Sequence, residues 1–226
     1  MIMFSRGSRA WLIGSALALL TGCGVKLVDL GPAPNLYDIQ TTAKFTEPLA
    51  PVSWQLVIDE PTASTSLDTD RILVRPGNAE IKYFAGARWS ERAPRLIQSQ
   101  LLQAFDKSGA IVGVGRQSIG LRSDYELSGE LTSFDTVYSG ASTPTITVAV
   151  NFKIVRKPDE VIVASRSFSK EERAGAPSLS AITKSFDDVL SDIVNEAVPW
   201  TLTTAQHDFE QAGPRSKAAV AAAPRN

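Results

Sequence analysis

The chain of 226 residues contains only one cysteine and one histidine. A single cysteine excludes an intramolecular disulfide. The one histidine, His207, lies in a polar, Ala- and Pro-rich stretch near the C-terminus, which argues against a catalytic triad or a histidine metal cluster. The sequence also lacks a Gly-x-Ser-x-Gly nucleophile motif and a Gly-Lys-Ser/Thr phosphate-binding loop. These absences remove the common hydrolase and nucleotide-binding classes and predict a protein that is not an enzyme.

The sequence also lacks a positive charge excess and a long apolar run. Residues 1–22 carry two arginines and no acidic residue, so the remainder has 21 basic and 24 acidic side chains, a formal charge of −3. The sequence contains no basic stripe of the kind that would indicate a nucleic-acid partner. The apolar run from Ala10 to Leu20 is about half of the roughly 20 residues that a membrane-spanning helix needs.

Residues 1–22 have the pattern of a lipoprotein signal peptide, with Arg6 and Arg9 before the apolar run. The run ends in Leu20-Thr21-Gly22-Cys23, which resembles the lipobox of bacterial lipoproteins and predicts diacylglycerol and an acyl chain on Cys23 as the only cofactor. An ordinary secretory signal with an incidental cysteine is the alternative, but an unpaired thiol is a liability in an oxidising compartment. Gly24, where aspartate often signals inner-membrane retention, favours a lipid-anchored protein of the outer membrane whose domain faces the periplasm.

The rest of the chain divides into a tether, one domain and a tail. Residues 23–51 are rich in Pro, Thr and Ala and predict a lipidated tether, in which Tyr37 and Ile39 are suited to docking as a short strand. Residues 52–204 predict the folded domain. Residues 205–226 have no periodicity and predict a disordered tail.

Strand alternation and two amphipathic stretches predict an α+β domain. The expected order is three strands, a helix, four strands and a helix. The expected elements are a strand from residue 52, a hairpin of 71–75 with 79–85, a helix over about 91–107 capped by Ser90, a strand at 110–115, a three-stranded meander with a bulge after Ser133, and a helix over about 179–204. Packing both amphipathic helices on one face of a mostly antiparallel sheet buries every apolar face, which predicts a two-layer α+β sandwich.

Two groups of side chains are candidates for function. Tyr83 and Arg88, in a cluster with Trp89, could form a partner contact, although Trp89 is better suited to packing under the helix that follows. Glu126 and Glu130 share one face of a strand and could act as a carboxylate pair in hydrolysis. A solvated strand face has the same pattern, and we favour that interpretation.

The stretch "YFAGARWSERAPRLIQSQLLQAFDKSGAI" at 83–111, the upstream "PAPNLYDI" and the strand Tyr125 to Leu131 together resemble the auxiliary lipoprotein family of ABC-type transport systems. The resemblance spans about 33–204, with Pro94 as a departure from the family's usual helix. It implies an outer-membrane lipoprotein without catalytic residues. The implied partners are a periplasmic protein with MCE (mammalian cell entry) domains and, indirectly, an inner-membrane permease and its ATPase.

The leading functional hypothesis is therefore an adaptor that holds a periplasmic lipid conduit at the outer membrane. Such systems move phospholipids or other hydrophobic molecules between the two membranes. One alternative is a lipoprotein that assists lipopolysaccharide or outer-membrane protein assembly, and another is an envelope hydrolase that uses Glu126 and Glu130. Whether the protein forms a homo-oligomer stays open.

Overall fold

The computed structural model describes residues 33–77, 79–117, 123–157 and 159–222, with side chains described as far as residue 212. The compact unit that contains the fold begins at Pro34. Within the described residues nine strands and two helices follow one another: β1 Asn35–Tyr37, β2 Val52–Ile58, β3 Thr62–Ala63, β4 Arg71–Arg75, β5 Lys82–Trp89, α1 Ala93–Ser108, β6 Ile111–Gly115, β7 Tyr125–Val137, β8 Thr145–Arg156, β9 Val161–Arg173 and α2 Leu179–Ala222. Neither helix has a described stretch long and apolar enough to cross a bilayer.

All the strands belong to one open, mixed sheet. Strands β7, β8 and β9 form the predicted antiparallel meander, which contains the longest pairings. The other edge of β7 pairs in turn with β2, β3 and β4, each of them parallel to it. Strand β6 flanks β2, and β5 followed by β1 flanks β4. The α+β fold class is confirmed, and the sheet contains more parallel pairings than the sequence patterns indicated.

One face of the meander is buried under helix α2. Along β8 every second residue from Ile146 to Ile154 is buried, whereas the residues between them remain at least partly accessible to water. Helix α2 packs on β7, β8 and β9, and it also contacts α1, so both helices share one core with the sheet. Trp89 lies in this core, where its ring meets Phe186 of α2 edge-on at 5.1 Å.

The register of β7 and β8 shifts between Leu131 and Ser133, one residue before the predicted bulge. Before the shift, Gly129 lies opposite Phe152, whose ring covers the space that a side chain would occupy. A Cβ atom at Gly129 would lie 2.9 Å from two ring carbons of Phe152. The glycine is therefore needed for this close approach of ring and backbone.

The beginning of α1 differs from the prediction. Ser90 is not the N-cap, because its hydroxyl donates a hydrogen bond to Asp38. Arg92 is the N-cap residue, but its side chain makes no hydrogen bond to the first turn of the helix. The backbone N–H of Ala93 donates instead to the carbonyl of Thr69. The helix thus starts about two residues later than expected, with its first turn tied to the loop between β3 and β4.

Helix α2 continues past residue 204, where we expected it to end. Ala205 is fully buried, and the Trp54 indole N–H donates to Gln206 at 3.0 Å. Asp208 accepts hydrogen bonds from the Tyr125 hydroxyl at 2.8 Å and from Arg156 at 2.8 Å. The prediction of a disordered tail from residue 205 is therefore wrong for residues 205–212, which are helical and packed against the sheet.

Candidate functional site

The predicted lipidation site Cys23, with the lipobox residues Leu20, Thr21 and Gly22, lies outside the described residues. The candidate site in the described part of the chain consists of two features. One is the surface that contains Tyr83 and Arg88. The other is the N-terminal segment that connects the predicted anchor to the domain.

A bulge in β5 brings Tyr83 and Arg88 to the same surface. The cross-strand partner of Arg71 is Arg88, whereas that of Leu73, two residues later in β4, is Tyr83, so β5 has three extra residues here. Gly86 has a φ of 66°, a conformation that residues with a side chain rarely adopt, and it turns the chain within the bulge. Tyr83 and Arg88 are close in the sequence and were predicted to share a surface. The sequence patterns did not predict that Arg71 would pair with Arg88 across the strands and stack on Tyr83.

We call Asp70, Arg71, Tyr83 and Arg88 the contact patch. The Arg71 guanidinium lies 3.7 Å from the centroid of the Tyr83 ring, and the Tyr83 hydroxyl donates to the Ser66 carbonyl at 3.2 Å. Arg88 donates to both carboxylate oxygens of Asp70, at 3.0 and 2.9 Å, while 46% of its side chain stays exposed. These contacts hold the two arginines in fixed orientations at the surface.

The ion pairs continue towards the start of α1. Arg92 pairs with both Asp68 and Glu60, and Arg95 pairs with Glu91. The hydrogen bond to Asp68 is the main cause that raises the pKa of Arg92. The patch and its surroundings thus alternate in charge and present no single sign to a partner. A partner that binds here has to match this alternation.

The two candidate carboxylates are not brought together as a catalytic pair. Glu126 and Glu130 are four residues apart on β7, about 13 Å along a strand, which exceeds the 5 to 9.5 Å of glycosidase carboxylates. Glu126 instead lies beside Asp59 and 3.3 Å from the Lys157 ammonium. Burial, and then the nearby Glu126, raises the pKa of Asp59 to about 6.

The segment Asp38–Phe45, which we call the strap, lies extended across the two helices. Side chains of α2 accept hydrogen bonds from its alternate backbone amides: Gln40 donates to Asp187 at 2.9 Å, Thr42 to Ser191 at 2.9 Å and Lys44 to Asn195 at 2.8 Å. Four residues of helix rise about 6 Å, and two residues of extended chain rise about 6.6 Å. Every second amide of the strap can therefore reach every fourth side chain of α2 over this segment. Burial raises the pKa of Asp187, and the N–H of Gln40 partly opposes this effect.

Helix α1 holds the strap from the other side. The buried side chain of Gln100 accepts hydrogen bonds from the N–H and the hydroxyl of Thr41, and it donates to the Ile39 carbonyl at 2.8 Å. The Ile39 side chain is 1% exposed and belongs to the core. The predicted docking as a short strand is confirmed for Tyr37, which lies in β1 paired with β5, whereas Ile39 follows that strand and docks through its buried side chain. The prediction of a tether as far as residue 51 is wrong for residues 35–45, because β1 pairs with β5 and polar side chains of both helices bind backbone groups between Ile39 and Lys44.

Fold and site together define a small α+β domain with a surface suited to contact and an N-terminal segment bound along its helices. The family model described as the ABC-type transport auxiliary lipoprotein component matches residues 37–198. The chain belongs to this family. Membership in the family confirms the resemblance predicted from the sequence, and the family's description names an auxiliary lipoprotein component of ABC-type transport.

Individual relatives are similar over most of the chain. A crystal structure of a Xanthomonas campestris protein assigned to the DUF330 family is 31% identical, covers 78% of this chain and 99% of its own, and superposes with a TM-score of 0.73. A second crystal structure, of an uncharacterized protein, is 12% identical, covers 74% and 97% of the two chains, has a TM-score of 0.58 and supports the fold alone. An uncharacterized protein of Bradyrhizobium diazoefficiens is 28% identical over 189 residues, which are 83% of this chain. The matched region is 49% of that relative, so the chain spans about half its length.

Proposed function

We propose that the protein is a non-enzymatic auxiliary lipoprotein of an MCE-type ABC transport system. The system moves phospholipids or other hydrophobic molecules between the inner and outer membranes. In this proposal Cys23 carries the lipid anchor in the outer membrane and the domain faces the periplasm. There the domain binds an MCE-domain protein and holds the conduit in place, and the permease and the ATPase act at the other end of the system.

The observation that carries the proposal is the family match over residues 37–198, which includes the strap residues from Asp38 onward, both helices up to Val198 and the whole sheet from β2 to β9. Two features of the described residues support it. The separation of Glu126 and Glu130 is unsuited to paired carboxylate catalysis. The strap binds the N-terminal part of the domain firmly to both helices. An adaptor anchored through Cys23 requires such a connection between its N-terminal segment and its core.

The contact patch is the surface that we propose for the MCE-domain partner. Interface hot spots are enriched in tyrosine and arginine, and side chains that are already ordered lose less entropy on binding. Arg71 and Tyr83 are stacked on each other, and Arg88 is held by two bonds to Asp70. The patch therefore needs little rearrangement to bind a partner.

Co-purification from detergent-solubilised membranes tests this function. The full chain should recover an MCE-domain protein, and Arg88→Ala should weaken that binding about tenfold, as expected for an interface arginine that contributes about 1.4 kcal/mol. The matched control is Arg166→Ala, which removes an arginine with a similar exposure of 47% from β9, at the opposite edge of the sheet. Recovery of no MCE-domain protein by the full chain would contradict the proposal, and capture of an outer-membrane β-barrel would favour a role in envelope assembly instead.

A further inference from the structure

Strand β9 lies at a free edge of the sheet. It pairs with β8 over its whole length, and no strand in the described part of the chain pairs with its other side. Directly after β9, the N–H of Ala174 donates to the carbonyl of Pro144, which precedes β8. Backbone groups of an extended chain point to alternate sides, so from residue 165 onward the N–H and C=O groups of the odd-numbered residues point away from β8. These exposed residues are Ser165, Ser167, Ser169, Glu171 and Arg173.

The charged side chains of β9 do not block this edge. Edge strands are usually protected by a proline or by charges that project past the backbone. Strand β9 contains no proline. Arg166 and Lys170 bend back onto α2 instead, where both pair with Glu196. Another strand can therefore approach the free backbone groups of β9.

The sequence of β9 is complementary to itself. When two copies pair antiparallel with Ser169 opposite its own copy, every outward N–H and C=O group finds a partner, and Arg166 lies opposite Glu172 in both halves of the pair. Moving the centre to Phe168 would place Arg166 opposite Lys170, and moving it to Lys170 would place two lysines opposite each other. Opposite charges stabilise cross-strand pairs, whereas like charges destabilise them. The charges of β9 therefore select the register that is centred on Ser169.

The neighbouring side chains fit a second copy as well. Glu172 accepts a hydrogen bond from Ser185 but has no ion pair within the described residues, so its charge is available to an arginine of the second copy. Val161 and Ile162, at the start of β9, are 42% and 57% exposed. In the register centred on Ser169 they meet residues 174–178 of the second copy, a segment without charged side chains.

The helices are compatible with the same arrangement. A twofold axis perpendicular to the sheet keeps both copies of α2 on one face. Helix α2 packs mainly over β8 and β9, so with strands about 4.8 Å apart the two helices would lie about 10 Å apart, an ordinary distance between packed helices. Trp200 is partly exposed and packs edge-on against Phe168 of β9 at 5.5 Å, on the side of α2 that would face the second copy.

We propose that two copies of the protein pair through the free edges of β9, antiparallel and with Ser169 at the twofold axis. The two sheets then form one continuous sheet. The edge formed by β1 and β5, which carries the contact patch, stays free in each copy. A dimer thus presents two contact patches and binds a partner that has repeated sites more tightly than one copy does. The pairing depends neither on the lipid anchor nor on the contact patch, so it goes beyond the proposed function.

Cysteine cross-linking of the full-length protein, in the membranes of cells that produce it, tests the register. Facing residues of a hydrogen-bonded antiparallel pair have Cα atoms about 5.5 Å apart, which is within the range of a disulfide. Ser169→Cys should therefore give a cross-linked dimer on oxidation with copper phenanthroline. The matched control is Ser165→Cys on the same face of β9: because Ser165 lies opposite Arg173, its two copies are about 26 Å apart and should not cross-link. The unmodified chain, whose only cysteine is Cys23, gives the background.

Reversing the charges tests the pairing independently of the cysteine. Arg166→Glu places two glutamates opposite each other in both halves of the pair and should lower the yield of the position-169 cross-link about tenfold. Adding Glu172→Arg restores opposite charges and should restore the cross-link. Lys153→Glu reverses an exposed charge on β8, away from the edge, and should leave the yield unchanged. Hydrogen exchange should show slow exchange of the outward amides of β9 in the unmodified protein and fast exchange in Arg166→Glu, with the amides of β8 protected in both.

The possible failures are distinguishable. Absence of a cross-link at position 169, or equal cross-linking at positions 165 and 169, would overturn the pairing. An undiminished cross-link in Arg166→Glu would overturn the register that the charges select. Fast exchange of the outward amides of β9 in the purified, unmodified protein would show that no second copy covers this edge. A position-169 cross-link in membranes from which the full chain recovers no MCE-domain protein would support the pairing and contradict only the proposed function.

Discussion

Removing the Asp59 carboxyl should change how stability depends on pH. The pKa of Asp59 is raised from 3.8 to about 6, first by burial and then by Glu126, so the folded state holds this proton more tightly than the unfolded state. The stabilisation is fully present below about pH 4 and is lost as the pH rises through about 6. Two pKa units correspond to about 3 kcal/mol for a fully buried group, and screening of this half-buried carboxyl reduces the effect to about 1 kcal/mol.

Urea unfolding of Asp59→Asn and of the unmodified protein at pH 4.5 and pH 7.5 measures the effect. Asparagine resembles the protonated carboxyl at both pH values. The free energy of unfolding of the variant relative to the unmodified protein should therefore rise by about 1 kcal/mol between the two pH values. Asp192→Asn, on the exposed side of α2, controls for the loss of one carboxylate. A difference that stays constant, or that falls as the pH rises, would refute the raised pKa of Asp59.

Two further substitutions test the packing of the sheet. Gly129→Ala places a Cβ atom 2.9 Å from the Phe152 ring and should lower the free energy of unfolding by about 1–3 kcal/mol, whereas Gly175→Ala, with no atom within 4 Å of the added Cβ, should not. Equal urea midpoints for the two variants would contradict the close approach at Gly129. Tyr125→Phe removes the hydroxyl that binds Asp208 and should cost about 1 kcal/mol, with faster amide exchange around Asp208. Unchanged exchange there would show that this bond does not hold the end of α2.

The sequence was sufficient to predict the elements whose burial is one-sided. The alternation from Ile146 to Ile154 predicted β8, because a strand with one wet face repeats every two residues. The same patterns did not reveal that β2, β3 and β4 all pair with β7 in parallel. Alternation identifies the buried face of a strand but not its neighbour in the sheet.

The parts that could not be predicted depend on polar contacts between distant residues. Gln206 and Asp208 extend the packing of α2, but their partners Trp54 and Tyr125 precede them by 152 and 83 positions. The strap was missed for a different reason. Asp187, Ser191 and Asn195 lie at the spacing of an ordinary solvated helix face, and the groups they bind are backbone amides, which every residue except proline has.

The central claim is that the domain acts from a lipid anchor on the processed N-terminus. Intact mass spectrometry of the protein extracted from the membranes of its native cells tests it most directly. The account predicts a chain that begins at Cys23 and carries the added mass of diacylglycerol and an acyl chain. A chain that retains residues 1–22, or one that begins at Cys23 with a free thiol, would contradict it.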